Sequence, residues 1–297
     1  KIDNNLTIRA AQGERVRLVG AKSLNKNRFQ IVKDKEFLRN LIVSSVAQKI
    51  RVYDLFEDEV INLGEHSRHA WGPNLEPRNR IPPPRLYKDN DRQRLARWPN
   101  YNDHSPYMVY EHYTTQPRAL RGYEIKVQSI LDKISIPGEV TLMKVIDQGD
   151  IFKKVKGGRG GTFQVAFDRM KYWRDVENIW LDGVLSSTWE WTYNRIESVD
   201  LANRHITLSY PELSGICNGA SVRLPHFYFE NIPEEIDEIG EYWIDRKNGL
   251  IYYLGNEDLS GLKMTTLESP ILVVNDTSNI SIEGIEFSFG RNHGIVI

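Results

Sequence analysis

Apolar residues in this chain come in short runs broken by Asn, Asp, Ser and Gly, which is the spacing of β-strands joined by turns. Helical spacing is concentrated in one place. Over Asp34–Val46, Phe37, Leu38, Leu41, Ile42 and the adjoining Ala47 recur near i, i+3 and i+4, which predicts a short helix. The clearest local pattern is a hairpin: Tyr242–Asp245, a turn over Arg246–Gly249, then Leu250–Tyr253, with Asn248-Gly249 expected to supply the positive-φ positions. A second hairpin is predicted from Glu197–Asp200, a turn over Leu201–Arg204, and His205–Leu208.

The two ends of the chain resemble each other. Asn5-Leu6-Thr7-Ile8 matches Asn279-Ile280-Ser281-Ile282, and each is followed by a charged residue and a further short strand, Val16–Val19 or Ile285–Phe287. Short strands separated by polar turns suit the coils of a parallel β-helix, in which each coil buries its apolar face only by stacking on a neighbour. The predicted class is therefore all-β: the first coils of a right-handed parallel β-helix, interrupted by a large β-sandwich or barrel-like insertion. Residues 1–20 form the opening coil, 21–260 the inserted all-β domain with its short helix, and 261–297 the resumed coils. Ile297 falls inside a strand, so the chain is expected to be truncated, with most of the helix downstream.

Composition narrows the partners. A formal net charge of −1 argues against a nucleic-acid binder, which needs a basic excess against phosphate. No apolar run is long enough to span a bilayer. The single cysteine, Cys217, precludes an internal disulfide and reads as incidental. Seven Trp and fourteen Tyr suit a saccharide partner, since sugar CH faces stack on indole and phenol rings, although an all-β core needs many of these too.

Several motifs carry two readings each. Arg97-Trp98, leading into Pro99, is either a sugar-binding edge or an arginine anchoring the insertion. Trp180-Leu181-Asp182-Gly183 and Trp189-Glu190-Trp191 are core tryptophans or a sugar platform, with Glu190 on the opposite face from its flanking indoles. The acid-rich run from Phe229 to Trp243 could hold Ca2+ but lacks EF-hand spacing, and reads better as a structural lead-in to the strong hairpin. No other cofactor is expected. Gly157–Gly161 lacks the Lys-Ser/Thr ending of a phosphate loop and is expected to be a mobile hairpin tip. The sequons at Asn5, Asn275 and Asn279 carry little weight, because Asn is favoured at coil turns for its backbone tolerance. Arg291-Asn292-His293 is predicted to project from a coil turn, His293 to bind a hydroxyl or move a proton and Arg291 to pair a uronate carboxylate, with Glu283 and Glu286 near the same edge; the alternative is a solvated turn.

The chain resembles bacterial right-handed parallel β-helix glycan-degrading enzymes of the α-fucosidase/xylanase and lacto-N-biosidase types. The resemblance rests on Leu6–Ala10 with Gly13–Val16, Leu95–Asn100, Asn231–Asp237 with Gly240–Arg246, Asn248–Tyr253, and Asn279–Phe287. It implies an extracytoplasmic glycoside hydrolase (secreted, periplasmic or cell-surface), expected to be monomeric, that acts on poly- or oligosaccharide through a carboxylate pair. It also implies that the catalytic acids lie on later coils, and no catalytic residue is assigned in this chain. Two alternatives stay open: a polysaccharide lyase on the same scaffold, and a glycan-binding β-helix without turnover.

Overall fold

A computed structural model describes residues 5–69, 80–100, 143–150, 158–165, 167–185, 190–216 and 226–297. Among them are twenty-two strands and one α-helix of six residues, an all-β chain whose sheets are mostly antiparallel.

The two ends stack in parallel. Leu6–Arg9 pairs with Ile280–Glu283 in the register Leu6↔Ile280, Thr7↔Ser281, Ile8↔Ile282, Arg9↔Glu283. Val16–Val19 pairs likewise with Ile285–Ser288, and Leu272–Val273 with Ile295–Val296. Like residues therefore lie over like residues, which places apolar side chains in common rows. The turns need left-handed backbone: Asn279 has φ 60° and Gly284 φ 68°. Leu6 (47% exposed), Val19 (44%) and Val273 (55%) remain open to solvent on these strands.

Ala21–Ser23 pairs antiparallel with Leu262–Thr265, where the chain leaves and rejoins the parallel pairs. Between these strands lie two more sheets and the rest of the Ala21–Ser23 sheet. The last is four-stranded, ordered Ala21–Ser23, Leu262–Thr265, Leu86–Lys88, Asp91–Arg92. A five-stranded sheet runs Gln30–Ile31, Ile50–Asp54, Leu250–Leu254, Glu241–Asp245, Arg94–Leu95. Alternation gives it two buried faces. Tyr53, Tyr242, Ile244, Ile251 and Tyr253 pack with Leu86, Leu262 and Met264 of the four-stranded sheet, a small sandwich. Ile50, Tyr252 and Leu254 face the helix side, where Phe37 stacks on Tyr252 at 4.1 Å.

A seven-stranded antiparallel sheet runs Met143–Asp147, Thr162–Val165, His205–Leu208, Trp191–Asp200, Trp180–Val184, His226–Glu230, Arg97–Trp98. One face buries Phe163, Leu181, Ile196, Phe227 and Phe229 against Met170 and Trp173. The run Leu86–Trp98 supplies edge strands to all three sheets in turn and ties them together.

Both predicted hairpins form. Their details differ from expectation. At the stronger turn only Gly249 has positive φ (69°); the Asp245 carboxylate accepts the N–H groups of Lys247 and Asn248 and holds the rest of the loop right-handed. The helix spans Lys35–Asn40, capped by Asp34, and stops well short of Val46. Leu41 turns extended, which carries Ile42 N–H to the Glu234 carbonyl at 3.0 Å, a pairing that a continued helix would forbid. The glycine run is no mobile tip where it is described. Gly160 and Gly161 are buried, and a Cβ on Gly160 would sit 1.8 Å from the Leu208 carbonyl oxygen. Trp189, Cys217 and Gly157 lie outside the described residues.

Candidate functional site

The face of the seven-stranded sheet opposite its core is polar. On Trp180–Val184 the residues alternating with buried Leu181 include Trp180 and Asp182; on His226–Glu230 those alternating with Phe227 and Phe229 include Tyr228 and Glu230. Asp182 pairs across the ladder with Tyr193 on one side and Tyr228 on the other, and Trp180 pairs with Glu230. Asp182 and Glu230 are therefore diagonal neighbours on one face, a step of about 7–8 Å between backbones.

This face floors a cleft of about 540 Å³. Its walls come from the Glu65–His69 segment, the Pro82–Arg85 run, the Arg92–Arg97 edge strands and the Tyr242–Arg246 strand end. The Arg92–Arg97 wall abuts the sheet because this run passes from the edge of the five-stranded sheet, where Arg94–Leu95 pairs with Glu241–Asp245, to the edge of the seven-stranded sheet, where Arg97–Trp98 pairs with His226–Glu230.

Within the cleft each carboxylate has its own donors. Asp182 accepts the Tyr228 hydroxyl at 2.5 Å and the Trp191 indole N–H on its other oxygen. Glu230 accepts the Tyr193 hydroxyl at 2.7 Å. That hydroxyl also lies 2.7 Å from His66 Nδ1. The Tyr193 ring stacks on Trp180 and on His69, each at 4.7 Å between centroids. Arg97, paired with Glu230 across the ladder, lays its guanidinium 3.5 Å over the Tyr228 ring and donates from Nε to the Pro99 carbonyl.

Burial raises the pKa of both acids. At Asp182 the Tyr228 and Trp191 donors pull back toward ionisation. At Glu230 the Asp182 charge adds to burial and carries the carboxyl to about 7. Burial, helped by the Arg246 charge, pushes His66 down to about 3, so it is neutral. Tyr193 and Tyr228 are raised by burial and stay protonated donors. The result is one carboxylate poised to ionise first beside one that keeps its proton near neutrality, the arrangement that separates a base or nucleophile from a general acid.

None of the five residues singled out at the C-terminal end, Glu283, Glu286 and Arg291-Asn292-His293, lines this cleft. Arg291 is corrected most plainly. It is 2% exposed, with Nε donating to the Pro82 carbonyl at 2.8 Å, so it ties the segment after Ile285–Ser288 to the run before Leu86 and does not project from the turn. Asn292 and His293 are exposed. Glu283 is exposed and accepts the Ser281 hydroxyl. Glu286 is held by Arg15 and Arg17 at 3.1 and 2.8 Å.

The acid-rich run disperses its carboxylates. Only Glu230 enters the cleft. Glu235 is fully buried and takes Arg169 through two nitrogens and the Trp173 indole N–H at 2.7 Å. Glu241 accepts the backbone N–H groups of Arg97, Asp237 and Glu238. Among the described residues no three His, Cys, Asp or Glu side chains converge as a metal set. Glu190 is buried, with one oxygen on the Ser214 N–H.

Sequence reasoning singled out Arg97 and the Trp180–Asp182 stretch but not Glu230 as a partner to Asp182. The available signal was the alternation Phe227-Tyr228-Phe229-Glu230, which puts Tyr228 and Glu230 on one face.

No family model matches the chain, and no curated protein matches it. Among solved structures it is similar to a chain named glycoside hydrolase, at 14% identity and a TM-score of 0.49. The matched region covers 96% of this chain and spans 40% of the other.

Proposed function

We propose that this chain is part of an extracytoplasmic carbohydrate-active protein built on a parallel β-helix, and that its cleft hydrolyses a glycosidic bond. One observation carries the reading: Asp182 and Glu230 are diagonal neighbours in one cleft, where burial and the Asp182 charge together carry Glu230 to about 7. Glu230 would protonate the leaving oxygen while Asp182, ionised, meets the charge that develops at the sugar carbon or activates water. Their placement on one face of adjacent strands sets both carboxyls in the same cleft, as such a pair requires. The in-register parallel pairs at the two ends, and the resemblance to β-helix glycan-degrading enzymes, support the same class. The test is release of reducing ends from plant and host poly- and oligosaccharides. Hydrolysis gives reducing ends without the ultraviolet absorbance of unsaturated uronates, and Asp182→Asn or Glu230→Gln lowers it about a hundredfold or more. Absorbance in its place would make the protein a lyase.

A second reading is favoured by the solvent-exposed Leu6, Ile8, Leu18 and Val19, whose rows have room for further coils. In it the cleft binds glycan while cleavage occurs on those coils. This chain would then bind oligosaccharide without turnover, and a longer chain would be active.

A further inference from the structure

The cleft is far more basic than the molecule around it. Arg85, Arg92, Arg94, Arg97 and Arg246 line it, against Glu65, Asp182 and Glu230, in a chain whose net charge is −1. Four of the five come from the single run 85–97, which threads the three sheets along the cleft wall. Arg97 is committed to Tyr228 and Pro99, and Arg246 donates to the Gly64 carbonyl. Arg85 and Arg92 differ. The first is half-buried and the second exposed, and among the described residues neither guanidinium has a hydrogen bond or ion pair. A guanidinium on a cleft wall without a protein acceptor can take a ligand's oxyanion with both prongs of its fork. The neighbouring groups feel the same field: Arg92 and Arg97 both favour the ionised form of Glu230, while Arg85 and Arg246 disfavour charge on His69 and His66. The large rings do not serve as an open platform for a neutral sugar. Trp180, Tyr193 and Tyr228 are each buried against one another or against Arg97.

The geometry points to an anionic sugar as the occupant, its carboxylate or sulfate held by Arg85 and Arg92 beside the Asp182–Glu230 pair. This deepens the carbohydrate reading and rests on it. The planar fork of each guanidinium matches either oxyanion, so the two sources share one chemistry. Without those cations a negative ring would be repelled by Asp182.

The test is calorimetric titration of the protein with trigalacturonate, with its carboxyl-reduced neutral counterpart, and with a sulfated disaccharide, at low and moderate salt. One of the two anionic sugars should bind about tenfold or more tighter than the neutral one, and the preference should shrink with salt. The Arg85→Gln/Arg92→Gln double variant should lose that preference while its melting temperature holds, since among the described residues neither guanidinium has a hydrogen bond or ion pair to lose. Whichever anion binds identifies the source. Equal binding of charged and neutral sugars, or an unchanged double variant, overturns the anionic class and leaves the carbohydrate reading standing. Binding of none of the three overturns both.

Discussion

Tyr193 and Glu230 sit on strands that are not neighbours, yet they meet at 2.7 Å over the strand Trp180–Val184 that separates them. The intervening strand carries Trp180 beneath that contact, with its ring stacked on Tyr193. One tyrosine thus braces the floor of the cleft and pulls its acid toward ionisation, against burial and the Asp182 charge.

Tyr193→Phe keeps the ring stack and removes the hydroxyl. The hydroxyl donates to Glu230 and so favours its ionised form; without it the Glu230 carboxyl titrates higher still. The alkaline limb of the pH–rate profile should move upward, with a stability loss of about 1 kcal/mol in urea titration. A limb that moves downward contradicts the assigned direction of this bond.

Glu235 is a structural acid. It is buried between Arg169 and the Trp173 indole, joining the Pro233–Glu235 turn to the core of the seven-stranded sheet. Glu235→Ala leaves a guanidinium and an indole N–H without their acceptor, and should cost about 3–5 kcal/mol. A shift in the urea midpoint corresponding to less than 1 kcal/mol would show that water replaces the carboxylate.

Glu286 offers the opposite case. Its pairs with Arg15 and Arg17 lie in solvent, where screening and side-chain entropy cancel most of the attraction. Glu286→Gln should leave both the melting temperature and the activity essentially unchanged. Loss of activity would return attention to the coil edge.

Stability should fall as pH rises from 5 to 8. Burial raises Glu230 and Glu234 to about 7 and Glu241 to about 8, from an ordinary 4.5. Across that window the unfolded chain has released protons that the folded chain still holds, so each unit of pH favours unfolding. The melting temperature, followed over this range, should decline; a rise would mean that these acids are ionised in the folded state.

Much of the fold was legible in the sequence because identical patterns recur. The likeness of Asn5–Ile8 to Asn279–Ile282 anticipated which residues stack, since a parallel coil places equivalent positions over one another. The Tyr242–Tyr253 hairpin was legible from two short apolar runs flanking the Asn248-Gly249 turn. The helix end was not, because Leu41 leaves the helix to satisfy a partner at Glu234, nearly two hundred residues away in the sequence. The cleft was legible only in fragments. Arg97, Asp182 and Glu230 are each ordinary in their local surroundings, and what unites them is the sheet order, in which Arg97–Trp98 joins as the last strand beside His226–Glu230. Arg291 looked like a groove residue for the same reason in reverse: nothing near it in sequence announces Pro82 as its acceptor.

The pairing of Asp182 with Glu230 is tested most directly by following the side-chain carboxyl carbon of Glu230 through a pH titration, by NMR. Its midpoint should lie near 7 and fall when Asp182→Asn removes the neighbouring charge. A midpoint in the ordinary glutamate range, unmoved by that substitution, would contradict it.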